Sequence, residues 1–291
     1  MDINYLNYLD DSVFVFGVHD LLRKYHNPRL LFDKVHYSTY YYWLEGKTPV
    51  RLGYLKQILP DINEAYTKQL FFSAGQKKVV LPRKMSRKLA YLIGCLHGDG
   101  SFNKNGKVIT VTEECREFLS GVVNQLFLEL FNIKGGIIDL ETYYRLEIGS
   151  KVVHSFLSNY CPVGKKKGFL NIPKCILADQ ELIRHYLSGL FDTDGSLSHI
   201  ENGTKSLFFV FTQADRDLVY EVYESLLDLG IPANKPLRWL STNSPSDRRR
   251  QLKQWRIYIG SKEVLQSFLN KIPFLHPLKR VRAKMILNKI K

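Results

Sequence analysis

Two short segments hold the residues whose types and spacing could do chemistry. YLIGCLHGDG (91–100) and YLSGLFDTDG (186–195) each close an apolar helical run with an aspartate, Asp99 and Asp194, followed by glycine. The C-terminal end of a helix is already negative, so an acid placed there needs compensation. Gly94 and Gly98, and likewise Gly189 and Thr193, are spaced i, i+4 and give each helix one flat face. Small residues at that spacing let two backbones approach closely. Packed side by side, the two helices would bring Asp99 and Asp194 together at one end, where a divalent cation relieves the repulsion. Hard oxygen donors with retained water suit Mg2+, or Mn2+ in its place. Two other glycine-acid motifs fail. A dinucleotide loop has its glycines between a strand and a following helix, and an EF-hand needs glycine at its sixth position, whereas in DTDG it is the fourth from Asp192.

The elements that must position these acids occur twice. After Asp99 come KVITVTEECREFLSGVVNQLFLELFNI and YYRLEIGSKVVHSFLSNY; after Asp194 come SLFFVFTQADRDLVYEVYESLLDLGI and WRIYIGSKEVLQSFLNKI. Period-2 and helical stretches alternate in each copy as α-β-β-α-β-β-α, with IGSK opening the last helix. That order indicates an α+β fold of two pseudo-symmetric repeats, 81–178 and 179–291. The second copy carries longer loops, notably RWLSTNSPSDRRRQLKQW. Residues 1–80 stand apart as a small helical domain. There Ser38 is expected to N-cap a short helix through Trp43 and Leu44, Gly46 to stop it, and Pro49 to open the next. This stretch resembles a helix-turn-helix, and KKVVLPRKMSRK (77–88) reads as a basic linker.

Charge narrows the class of partner. Against 42 Lys and Arg stand 28 Asp and Glu, a net +14, which suits a polyanion, nucleic acid first and an acidic membrane surface second. MDINYLNYLDDSV lacks the basic start of a signal peptide. No apolar run approaches the ~18–20 residues of a membrane span. Cys95, Cys115, Cys161 and Cys175 form no CxxC pair, so free thiols and a cytoplasmic location are expected.

LIGCLHGDG (92–100) and LSGLFDTDG (187–195) resemble the two signature motifs of the LAGLIDADG homing endonucleases in their single-chain form, over about residues 86–291. The resemblance implies two saddle-shaped antiparallel sheets lying in the major groove of DNA and hydrolysis of phosphodiester bonds on both strands. Asp99 and Asp194, with Gly98 and Thr193 beside them, would hold the metal ions. Gln213 matches a polar residue near the attacking water, and Glu113 stands at the equivalent place as a departure that adds negative charge. Lys279 and Lys166 match the site lysines, with Lys165 or Lys167 as substitutes for the latter. His97 replaces an acid that the second motif keeps as Asp192, and a packed histidine is expected there. Candidate DNA contacts are Lys104, Lys107, Arg145, Lys205, Arg238 and Arg256, with Trp239, Trp255 and Arg248–Arg250 as a basic, aromatic-flanked loop. The implied partner is double-stranded DNA with a long asymmetric site, bound by a monomer that is freestanding or intron-encoded. The rival readings are an RNA-splicing maturase, which would take intron RNA, and a DNA-binding regulator on the same fold.

Overall fold

In the computed structural model, residue 9 and residues 11–24, 35–58, 70–73, 77–166, 168–199, 206–241 and 252–290 are described. The first unit runs β1 (Phe14–Phe16), α1 (His19–Lys24), α2 (Tyr37–Leu44), β2 (Val50–Arg51), α3 (Leu52–Ile58) and β3 (Phe71–Ser73). The first repeat follows as α4 (Arg87–Gly98), β4 (Gly100–Phe102), β5 (Val108–Glu113), α5, β6 (Gly136–Asp139), β7 (Tyr144–Gly149), α6 (Lys151–Leu157) and the short α7 (Lys174–Leu177). Helix α5 starts at Arg116–Phe118, passes through a π turn at Leu119–Val123 and continues as Asn124–Phe131. The second repeat is α8 (Gln180–Asp194), β8 (Gly195–Leu197), β9 (Phe209–Gln213), α9 (Arg216–Asp228), β10 (Leu237–Ser241), β11 (Leu252–Ile259), α10 (Lys262–Lys271) and α11 (Pro277–Ile290).

The α-β-β-α-β-β-α order is present in both copies, and so is the pairing. The strands lie β4-β5-β7-β6 in one antiparallel sheet and β8-β9-β11-β10 in the other. Alternation assigns the faces. Ile109, Val111, Leu146 and Ile148 are buried in the first sheet, as are Phe209, Phe211, Ile257 and Ile259 in the second. Thr110 and Thr112 pair with Glu147 and Arg145 on the other face of the first, and Thr212 pairs with Arg256 on the other face of the second. Side-chain oxygens cap the main helices: Ser86 accepts from the Leu89 amide, Asp179 from Glu181 and Leu182, Ser150 from Val153, and Ser261 from Val264.

Helices α4 and α8 pack along each other's glycines. A Cβ on Gly94 would collide with the Tyr186 carbonyl oxygen, and one on Gly189 with the Tyr91 carbonyl oxygen. A Cβ on Gly98 would strike the Thr193 hydroxyl. The flat-face reading of the motifs therefore holds at all four positions.

The first unit differs from the helical expectation. Strands β2-β1-β3 form a small antiparallel sheet beside its helices, made of segments only two or three residues long. Helix α2 is capped by His36, whose Nδ1 accepts from the Ser38 amide at 3.4 Å, so Ser38 lies inside the helix rather than at its cap. Gly46 does end it, at φ +70°, but Pro49 leads into β2 and α3 opens at Leu52. The segment read as a basic linker is packed: Val79, Val80, Leu81 and Met85 are buried, and Val79 bridges Phe72. Among the described residues no helix is long and apolar enough to cross a membrane.

Candidate active site

The close approach of α4 and α8 puts their acidic ends side by side. Asp99 is the C-cap of α4, its amide donating to the Cys95 carbonyl, and Asp194 is the last residue of α8. A Cβ on Gly98 would lie 3.3 Å from Asp194 Oδ2. Burial first, then the charges of Asp194 and Glu113, pushes the Asp99 carboxyl up to about 7. Burial raises Asp194 to about 6, opposed by Lys166, Lys279 and its bond to Gln213. Both shifts have the sign expected of like charges sharing a poorly solvated place.

Two lysines answer the helix ends. Lys166 Nζ donates to the carbonyls of Leu96 (2.9 Å), His97 (3.1 Å) and Gly98 (2.6 Å). Lys279 Nζ does the same on α8, to Phe191 (3.0 Å), Asp192 (2.7 Å) and Thr193 (3.0 Å). Each ammonium thereby uses its three donors on orphan carbonyls and sets a positive charge at a negative helix terminus. Burial lowers both lysines below the usual range, against the pull of the neighbouring aspartates. Of the three lysines weighed in the first repeat, it is Lys166 that reaches α4; Lys165 is exposed and Lys167 lies outside the described residues.

Two residues back along each helix, a buried polar residue bonds to a tyrosine of the other. His97 Nδ1 meets Tyr186 Oη at 2.7 Å and its Nε2 meets the Tyr160 carbonyl at 2.8 Å. The carbonyl can only accept, which assigns the proton to Nε2 and makes Nδ1 the acceptor of the tyrosine hydroxyl. Burial pushes His97 down to about 4, so it is a neutral, packed histidine. In the second motif Asp192 Oδ2 accepts from Tyr91 Oη (2.6 Å) and from the Leu275 amide (2.8 Å). Burial raises its carboxyl, with Tyr91, Leu275 and Lys279 opposing.

The polar residues at the ends of β5 and β9 differ. Gln213 Nε2 donates to Asp194 Oδ2 at 2.6 Å. Glu113 Oε1 accepts from its neighbouring amides, Glu114 at 2.8 Å and Cys115 at 3.4 Å, as Gln213 Oε1 does from Ala214 at 2.7 Å, but with no donor to offer it faces His276 Nε2 at 3.9 Å. Burial alone would raise Glu113, but His276, the Glu114 amide and Lys279 together bring it below the usual carboxylate range. The extra negative charge expected in the first centre thus has a partner from the second repeat. Sequence reasoning missed His276, Tyr91 and Tyr186. The tyrosines had a signal: each opens its motif six residues before the polar position, and a buried tyrosine hydroxyl needs a partner.

The candidate DNA contacts fall in different places. Lys104 and Lys107 are exposed near the turn joining β4 to β5. Arg145 lies on the uncovered face of the first sheet, 3.8 Å from Glu147. Arg256 lies on the uncovered face of the second, 3.7 Å from the Trp239 ring centroid and bonded to Thr212 Oγ1. Arg238 is directly across from Trp255, the residue next to Arg256. Period-2 alternation therefore puts Arg238 on the opposite face, and the two arginines do not line one surface. Trp255 itself packs on Tyr220 of α9. Lys205 and Arg248–Arg250 lie outside the described residues.

Two equivalent α+β units that meet on acid-tipped helices, each capped by its own lysine, define a single-chain protein with two pseudo-symmetric centres. The chain belongs to the family described as the LAGLIDADG-like domain, which it matches over residues 86–160 and 181–273. It is similar to part of the A-type ATP synthase of Pyrococcus abyssi, with 31% identity to one of that enzyme's subunits over 121 residues, which is 41% of this chain but only 12% of that protein's length. Among solved structures it is similar to I-DmoI in complex with DNA and Mn, at 18% identity over 64% of this chain and 96% of that one, with a TM-score of 0.45. It is also similar to full-length WhiA from Thermotoga maritima, at 16% identity over 72% of this chain and 63% of that one, with a TM-score of 0.47.

Proposed function

We propose that the chain is a site-specific double-strand DNA endonuclease of the homing type, hydrolysing phosphodiester bonds with Mg2+ or Mn2+ held at Asp99 and Asp194. The observation that carries this reading is the meeting of two partly buried carboxylates, both raised above the usual range, at the ends of the paired helices. Among the described residues no group of three or more His, Cys, Asp or Glu could hold a metal. Two carboxylates leave most of a hard cation's coordination to water and phosphate oxygens, as a reacting centre requires. When bound, such a cation lowers the pKa of its water and stabilises the leaving oxygen of an in-line displacement. Gly98 and Thr193 carbonyls already accept from the lysines, but a carbonyl has a second lone pair to offer.

The chain's own residues divide the remaining work. Gln213 holds one oxygen of Asp194 and fixes the direction of the other. Lys166 and Lys279 keep two ammoniums beside the acids, where they offset negative charge; contact with a phosphate would require each to release a carbonyl. Arg145 and Arg256 on the uncovered sheet faces, and Lys104 and Lys107 near the turn joining β4 to β5, supply phosphate contacts in keeping with the net +14. Residues 1–80 would be an added reader in front of repeats 81–178 and 179–291, and the protein would act in the cytoplasm as a monomer.

The test is cleavage of end-labelled duplex carrying the uninterrupted insertion site, read strand by strand with Mg2+. Wild type should cut both strands, while Asp99→Asn and Asp194→Asn should each lose on the order of a hundredfold or more in rate and keep binding. Tight binding without any cutting by wild type would favour the regulator, and preference for intron RNA the maturase.

A further inference from the structure

Lys166 rides on a loop and Lys279 on the first turn of α11, and each of these segments is tied to the opposite repeat. Behind Lys166, the amides of Gly168 and Leu170 donate to Asp215 Oδ2 at 2.6 and 3.2 Å, and the Ile172 amide donates to Glu221 Oε2 at 2.6 Å. Asp215 is the N-cap of α9 and Glu221 lies within that helix, in the second repeat. Ahead of Lys279, the tie runs the other way and uses a side chain. His276 is buried, and its ring lies against Phe118 of α5 with centroids 4.7 Å apart and planes at 32°. Its Nε2 points at Glu113 Oε1 across 3.9 Å, and its Nδ1 has no partner among the described residues.

We propose that Glu113 and His276 are a positioning pair that joins the first centre to the start of α11, which carries Lys279, a deepening that rests on the endonuclease reading. Gln213, the counterpart of Glu113, gives its amide to Asp194. A carboxylate at the same place cannot donate; unpartnered, it would add a third negative charge beside Asp99 and Asp194. His276 and the Glu114 and Cys115 amides hold Glu113 Oε1 at the start of α5. The same contact fixes the loop three residues before Lys279, whose ammonium caps α8. Glu113 is thus tolerated in the first repeat because the second repeat supplies an imidazole.

A double-mutant cycle tests the pair, with strand-resolved nicking rates and thermal unfolding measured on the same full-length proteins. His276→Leu keeps an apolar body against Phe118 and removes the partner of Glu113; if it does not fold, His276→Met, which also lacks a donor, takes its place. The expected result is about tenfold slower nicking of one strand with the other little changed, and recovery of most of that loss when Glu113→Gln is added. Equal slowing of both strands, or no recovery in the double variant, overturns the proposal. If wild type cuts neither strand, the endonuclease reading fails by itself. The pair is then decided by unfolding: a non-additive cycle supports it and an additive one removes it.

Discussion

At equivalent places in the two motif helices, the first repeat has His97 and the second has Asp192, and both bond to a tyrosine of the opposite helix. In the first, the protein side is a carbonyl, that of Tyr160, and the ring must donate to it. In the second it is the amide of Leu275, and the carboxylate must accept from it. At the strand ends both Gln213 and Glu113 accept from the next amide, and the other partner changes: Gln213 donates to an acid while Glu113 faces an imidazole. The difference teaches that what is kept between the copies is the geometry of the paired helices and their lysine caps. The polar residues behind them change character as long as each finds a partner of the opposite kind.

The largest effect should come from the shared geometry. Gly94→Ala and Gly189→Ala each drive a methyl into a backbone carbonyl that has no rotamer to escape into. Each should lower stability by about 3 kcal/mol, and by the same amount within error, in urea unfolding. Gly98→Ala meets a threonine side chain and should cost less. Markedly unequal values for Gly94 and Gly189 would break the symmetry on which the comparison rests.

A smaller effect should separate the two copies by pH, measured as thermal unfolding in chelator. His97 is pushed down to about 4 in the folded chain, below its unfolded value of about 6.5. Its neutral form is therefore favoured by folding, and stability is lost as pH falls from the unfolded value through the folded one. Asp192 is raised, so its contribution has the other sense: the cost is absent below the ordinary aspartate range and grows as pH rises through the folded value. His97→Asn should flatten the acid-side loss, and Asp192→Asn should flatten the loss on raising pH. Parallel pH profiles for the two variants would contradict the donor and acceptor assignments.

Much of this arrangement was legible in the sequence because it is written twice. The doubled motif, the i, i+4 small residues and the α-β-β-α-β-β-α order gave the helix pair, the acids and both sheets. Lys166 and Lys279 followed from the resemblance, although their three-carbonyl caps did not. What escaped depends on distances across the fold. Nothing local marks His276 as a partner of Glu113, because the two are far apart in sequence and in different repeats. Arg238 and Arg256 were grouped as cations on strands, but only the register of β10 on β11 assigns them to opposite faces. The sheet in the first unit was missed since strands of two or three residues give no period to read.

The central claim is that Asp99 and Asp194 together form one divalent-cation site. Carbon-detected NMR titration of their carboxyl groups tests it most directly, without any knowledge of the DNA target. In chelator, Asp99 should titrate near about 7 and Asp194 near about 6. Saturating Mg2+ should move both midpoints down, since a cation between them favours the charged forms, and Asp99→Asn should weaken the shift that Mg2+ produces at Asp194. Midpoints that stay where they were in saturating Mg2+, or a shift at Asp194 that ignores the loss of Asp99, would contradict a shared site.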